Sequence, residues 1–226
     1  MKIGILLTGH TPDTLLDEFG DYDQMFRTML DGHGFAFETF AVVDGEFPGD
    51  ADAADGWLIT GSRHGAYDDL PWIARLEDLI RSIHDRGLPL IGVCFGHQVI
   101  ATALGGRVEK FAGGWALGRT DYDLNGTKLS LNAWHQDQVT RRPRGARVLA
   151  GNAFCENAIL AYGDTIWTVQ PHPEFGAGFI RGLMRTRGTG VIPEDQLRLA
   201  GETLDGPVAN GQIADHMAAF FLKERA

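Results

Sequence analysis

Cys94 stands between two glycines in Gly92-Val93-Cys94-Phe95-Gly96-His97-Gln98, directly after the apolar run Leu88-Pro89-Leu90-Ile91. The run reads as a buried strand, and residues 98–104 read as a helix that follows at once. Glycine two residues before and two after a reactive side chain is the pattern of a strand-to-helix elbow, because small neighbours allow the cramped turn that holds the side chain at the head of a helix. Orphan N–H groups and the positive end of the helix dipole favour an anion there, and so favour the thiolate, the nucleophilic form of cysteine. Without a base elsewhere, Cys94 would be a small hydrophobe in a tight turn.

Gln170-Pro171-His172-Pro173-Glu174-Phe175 offers that base. The β-branched and aromatic run at 165–169 reads as a strand that delivers the segment to the end of a sheet. Pro173 keeps His172 out of the α region, so His172 and Glu174, at i and i+2, can lie on the same side of an extended chain. A carboxylate behind an imidazole fixes its tautomer and stabilises the imidazolium formed when it takes a thiol proton. Elbow cysteine, histidine and carboxylate together point to a nucleophilic enzyme.

These two motifs, with Leu104-Gly105-Gly106 after the first, resemble the signature of the class I glutamine amidotransferases. The likeness is greatest to the glutaminase domain of GMP synthase and to free-standing relatives that include the γ-glutamyl peptidases, and it spans about residues 1–185. It implies that Cys94 is the nucleophile that takes the γ-glutamyl group, His172 the general acid/base and Glu174 its orienting partner.

Residues 56–65 read as a short buried strand that runs into a glycine turn, Gly61-Ser62. Acyl transfer needs N–H donors aimed at the developing oxyanion. The resemblance assigns them to the backbone of Gly61 and Phe95. On the sequence alone the turn would be an ordinary loop. The resemblance also places Gln98, one helical turn beyond Cys94, against the bound substrate. It places His135-Gln136-Asp137 near the substrate's α-amino and carboxylate end, although a solvated loop is the plain reading of His135.

The composition suits a globular enzyme: 226 residues, 44% hydrophobic and 22% charged, are enough for one large α/β domain. We expect a single domain over 1–226, with a catalytic core to about 185 and a helical C-terminal extension over about 186–226. The net charge of −10 disfavours nucleic acid as a partner, and Arg141-Arg142-Pro143-Arg144 reads as a solvated loop. The apolar run at 1–8 is too short for a signal peptide and reads as a first strand, and nothing approaches a membrane span of about 20 apolar residues. Cys94 and Cys155 are therefore expected as reduced thiols in the cytoplasm, Cys155 in a structural role.

Strand-like runs at 2–8, 35–42, 56–60 and 88–93 alternate with helical stretches at 21–30 and 71–85, the order of a mostly parallel sheet. The second helix shows its period in Trp72, Ile73, Leu76, Leu79, Ile80 and Ile83, with charges opposite. Short strands at 115–123, 127–131, 147–151 and 158–162 look like the antiparallel extension of the resembling family. Helices are expected at 179–187, 194–204 and 209–222. The fold class is α/β: an open, mostly parallel, flavodoxin-like sheet flanked by helices, with a small antiparallel extension and a C-terminal helical extension. Open sheets of this kind bind ligands at the carboxyl ends of their strands.

The chain carries no synthetase domain and no phosphate-binding loop. The first reading is therefore an amidotransferase-like enzyme that hydrolyses the γ-glutamyl amide of glutamine through a cysteine thioester, with any ammonia consumed by a separate synthetase partner. The alternative is a γ-glutamyl peptidase acting on glutathione-like conjugates, and a noncatalytic regulatory module ranks third. No cofactor or metal enters this chemistry.

Overall fold

Nine strands form one mixed sheet in the computed structural model, which describes residues 1–225. β1 (Lys2–Leu6), β2 (Ala36–Phe40), β3 (Gly56–Ile59), β4 (Leu90–Val93) and β11 (Ile166–Val169) run parallel, in the order β2-β1-β3-β4-β11. The sheet continues antiparallel through β10 (Ile159–Tyr162), β9 (Ala146–Gly151), β6 (Ala116–Leu124) and β7 (Thr127–His135). The expected antiparallel extension is thus the far half of the same sheet. The α/β class and the mostly parallel core read from the sequence are the observed ones.

Period-two burial sorts the strand residues onto two helical layers. Trp57, Ile59 and Leu90 face α3 (Pro71–Asp85) and α4 (Phe95–Ala103), meeting Leu76, Ile80, Ile83 and Val99 in one core. Leu58, Ile91 and Trp167 point the other way, toward Phe26 of α2 (Tyr22–Met29) and Ile213, Met217 and Phe221 of α7 (Asn210–Leu222). α7 therefore supplies much of one face of the sheet.

Some elements carried too little signal to be read. α1 (Asp13–Phe19) is seven residues long, has no side-chain cap and buries only Leu15. β5 (Arg107–Lys110) and β8 (Asp137–Arg141) are rich in polar residues and pair only with each other, outside the main sheet. The helix expected at 98–104 starts earlier, at Phe95, because Cys94 itself makes the break and Gly96 is accommodated in the first turn. The helix expected at 179–187 is α5 (Ala177–Leu183) followed by a π-helical turn, Met184–Gly188. α6 (Glu194–Thr203) follows it.

Candidate active site

Cys94 has φ 52° and ψ −102°, a positive φ that a side chain rarely adopts. Its amide is pinned to the carbonyl of Val169 at 2.9 Å, which ties the turn after β4 to the end of β11. The flanking glycines make the turn possible. A Cβ on Gly92 would lie 2.6 Å from the carbonyl carbon of Gly96, and one on Gly96 would overlap the backbone of Ile59. The elbow thus holds the thiol at the N-terminus of α4, where the dipole favours an anion.

β11 ends at Val169, and the chain after it brings His172 beside Cys94. The His172 amide donates to the Asn132 carbonyl at 2.8 Å, locking the segment against β7. Nδ1 of His172 lies 2.7 Å from Oε1 of Glu174 in an ion pair whose side chains are 5% and 1% exposed. The Phe175 ring stacks on the imidazole at 4.1 Å and 7°. Burial alone would lower the pKa of His172, but the Cys94 sulfur and the Glu174 carboxylate outweigh it and push the value up to about 10.

Gly61 sits against both groups: a Cβ there would lie 3.0 Å from His172 Cε1 and 3.8 Å from Cys94 Cβ. Its carbonyl accepts from the hydroxyls of Thr8 at 3.0 Å and Thr60 at 3.2 Å, which fixes the peptide. The N–H groups of Gly61 and Phe95 are not used by the turns and caps around them, as expected for Phe95 at the first position of a helix.

A cavity of about 240 Å³ opens over Cys94 and His172. Gln98, His135, Gln136 and Asp137 line it, as the sequence led us to expect, but their surroundings differ from a set of free substrate contacts. Gln98 Nε2 donates to the Asp137 carbonyl at 2.8 Å and to Gln170 Oε1 at 3.1 Å, so both its amide hydrogens are engaged within the protein. His135 ends β7 and is buried, so a solvated loop is not its setting. Burial, helped by the positive His172, drops its pKa to about 3, and its Nε2 has no partner. Gln136 Nε2 reaches the Phe111 carbonyl at 3.3 Å, and Asp137 Oδ2 accepts from the Tyr67 hydroxyl at 3.0 Å.

Tyr22, Trp115, Trp134, Arg63, Lys110 and Arg187 also line the cavity, and sequence reasoning gave them no role. They come from six separate places in the chain, so spacing carried no signal. Only Trp115 and Trp134, near the ends of neighbouring strands, hinted at a shared face; their rings lie 6.0 Å apart. Cys155 is buried with a thiol pushed up to about 12 by burial, and Arg141, Arg142 and Arg144 are exposed. Among the described residues, no helix is long and apolar enough to cross a membrane.

Known proteins resemble this chain in sequence and in fold. The chain is 30% identical to gamma-glutamyl peptidase 4 of Arabidopsis thaliana over 234 residues, covering 95% of this chain and 93% of that protein. It is 31% identical to the glutamine-hydrolysing GMP synthase component of Sulfolobus acidocaldarius over 183 residues, covering 77% of this chain and 89% of that one. The fold superimposes on a glutamine amidotransferase from Thermotoga maritima with a TM-score of 0.74 and 20% identity, over 98% of this chain and 96% of that one. Residues 42–180 match the family Glutamine amidotransferase class-I, and the chain belongs to that family.

Proposed function

We propose that this chain is a γ-glutamyl hydrolase working through a thioester on Cys94, with Cys94, His172 and Glu174 as its catalytic triad. The observation that supports the reading is a cavity lined by Cys94, Gly61 and His172, with the imidazole paired to the buried Glu174 carboxylate at 2.7 Å.

The proton on His172 is the one Cys94 has given up. The sulfur attacks the γ-carbonyl carbon, and the N–H groups of Gly61 and Phe95 receive the oxyanion. Nδ1 of His172 is committed to Glu174, so Nε2 donates its proton to the leaving nitrogen as the C–N bond breaks and the thioester remains. Water then loses a proton to Nε2, its oxygen bonds to the acyl carbon and the C–S bond breaks. Glutamate leaves, and the thiolate–imidazolium pair is restored. Asp137 takes the substrate ammonium, the unpartnered His135 Nε2 faces the glutamyl group, and Gln98 positions Asp137 rather than the substrate.

The substrate is a small γ-glutamyl compound. Because the triad is assembled within one chain and α7 is integral to the fold, we read the protein as a self-contained hydrolase built as one catalytic domain. Both cysteines are unpaired, which fits a reducing, cytoplasmic setting. A second reading, in which the chain is the glutaminase partner of a separate synthetase, is favoured by the likeness to the GMP synthase component. Steady-state hydrolysis of glutamine and of γ-glutamyl dipeptides by the protein alone separates the two. Fast dipeptide turnover supports the hydrolase. Glutamine turnover that rises only on adding a synthetase contradicts it.

A further inference from the structure

Three cations line the cavity over Cys94: Arg63 in the turn after β3, Lys110 at the end of β5 and Arg187 in the π-helical turn. None of them takes part in an ion pair among the described residues. Among the described residues, Asp137 is the one carboxylate that lines the cavity. The chain as a whole carries −10, so this surplus of positive charge is a property of the cavity. Unpaired cations in a walled cleft attract an anion.

A γ-glutamyl group carries one ammonium and one carboxylate. Asp137 answers the first, and Lys110, its partner across the β5–β8 pair, stands ready for the second. Arg187 is then without a counter-charge, and its surroundings are built. The π-helical turn that bears it is a rare local geometry that often marks functional positions. The next residue, Gly188, packs so closely on Trp134 that a Cβ would lie 3.3 Å from the ring. The buried Tyr22 lines the same cavity, and burial raises the pKa of its hydroxyl to about 12, leaving it a neutral donor. Among the described residues the Arg187 guanidinium makes one hydrogen bond, a long one from Nη2 to the His10 carbonyl at 3.4 Å, so most of its five N–H donors remain free.

Tyr22 and Arg187 come from α2 and the π-helical turn, a wall distinct from the β5–β8 wall that holds Gln136 and Asp137. We propose that Arg187 and Tyr22 form an anion dock for the leaving half of the substrate, and that the enzyme acts on γ-glutamyl peptides whose departing amino acid bears a free carboxylate. The proposal rests on the γ-glutamyl hydrolase reading and narrows it. Glutamine, whose leaving group is ammonia, has nothing to place there. A peptide carboxylate can meet the guanidinium in a two-point, charge-assisted contact.

The test compares γ-glutamylglycine with γ-glutamylglycine amide, which share the scissile bond and differ in one charge. The wild-type enzyme should favour the acid by roughly tenfold or more in kcat/KM, mostly through KM. Arg187→Gln should bring the ratio near one, and Arg187→Lys should restore part of it. Equal rates on acid and amide in the wild type, or an unchanged ratio in Arg187→Gln, would overturn the dock. Calorimetric binding of both ligands to Cys94→Ala reads the dock without turnover. Preferential binding of the acid there supports the dock even if the wild type hydrolyses neither ligand, an outcome that would sink the hydrolase reading alone. Equal binding of acid and amide counts against the dock whatever the turnover.

Discussion

His172 and Glu174 meet through their own side chains, Nδ1 to Oε1 at 2.7 Å, although only Pro173 separates them in the chain. His172 is held in a bridge to Asn132, and the Phe175 N–H closes a turn over residues 172–175 onto the His172 carbonyl at 3.3 Å; this turn, in place of the extended run the sequence led us to expect, brings base and carboxylate together, so both are set by a tripeptide and need no distant loop. The other carboxylate oxygen, Oε2, is buried and has no partner, which leaves the imidazole as the group that compensates this charge.

Glu174→Gln removes the charge and keeps the shape. An amide oxygen can still accept from Nδ1, so the fold should persist, while turnover should fall by roughly a hundred- to ten-thousand-fold because the imidazolium loses its counter-charge. Circular dichroism with steady-state kinetics checks this, and near-wild-type turnover would rule out the role given to Glu174.

The raised pKa of His172 makes stability depend on pH with a definite sign. Its unfolded value is about 6.5, and the folded value is about 10, held up by Cys94 and Glu174. Because that proton is the one an unfolded Cys94 thiol keeps up to about pH 8.5, the native chain holds an extra proton only above that, and stability is lost as pH rises from about 8.5 through about 10. Thermal melts should show Tm declining across this window, and the decline should be shallower in Glu174→Gln. The same slope in both proteins would contradict the assignment.

Gly61→Ala tests the crowding at the triad. The new Cβ would stand 3.0 Å from His172 Cε1, so the ring or the 61–62 peptide must shift by a few tenths of an ångström. Both the imidazole and one oxyanion donor are displaced together, and turnover should fall by roughly a hundredfold or more. The melting temperature should change far less than the rate, since the clash falls on the site and not on the core. An unaffected rate would remove Gly61 from the machinery.

The sheet and the elbow were legible because their signals are local. Apolar runs mark β1, β3 and β4, the stripe of α3 gives its bounds to the residue, and Gly92-Val93-Cys94-Phe95-Gly96 spells a turn that sterics then enforce. Gln98 was placed at the site by the family resemblance, one helical turn beyond Cys94, yet the engagement of its amide by Asp137 and Gln170 depends on β8 and on the segment after β11, which only folding brings near. Tyr22, Trp134 and Arg187 lie far apart in sequence and belong to elements with ordinary patterning, so nothing local marked them. β5 and β8 were missed because they pair outside the main sheet and send only a few side chains, Val108 and Val139 among them, into the core, too few to alternate visibly.

The central claim is that Cys94 carries the γ-glutamyl group, and trapping that acyl-enzyme tests it most directly. The protein is mixed with a γ-glutamyl substrate, quenched in acid during turnover, and peptide-mapped by mass spectrometry. One glutamyl increment is expected on the peptide that contains Cys94 and none on Cys155, whose buried thiol stays protonated with a pKa pushed up to about 12. An increment on Cys155, or turnover that persists in Cys94→Ala with no acylated cysteine, would contradict the account.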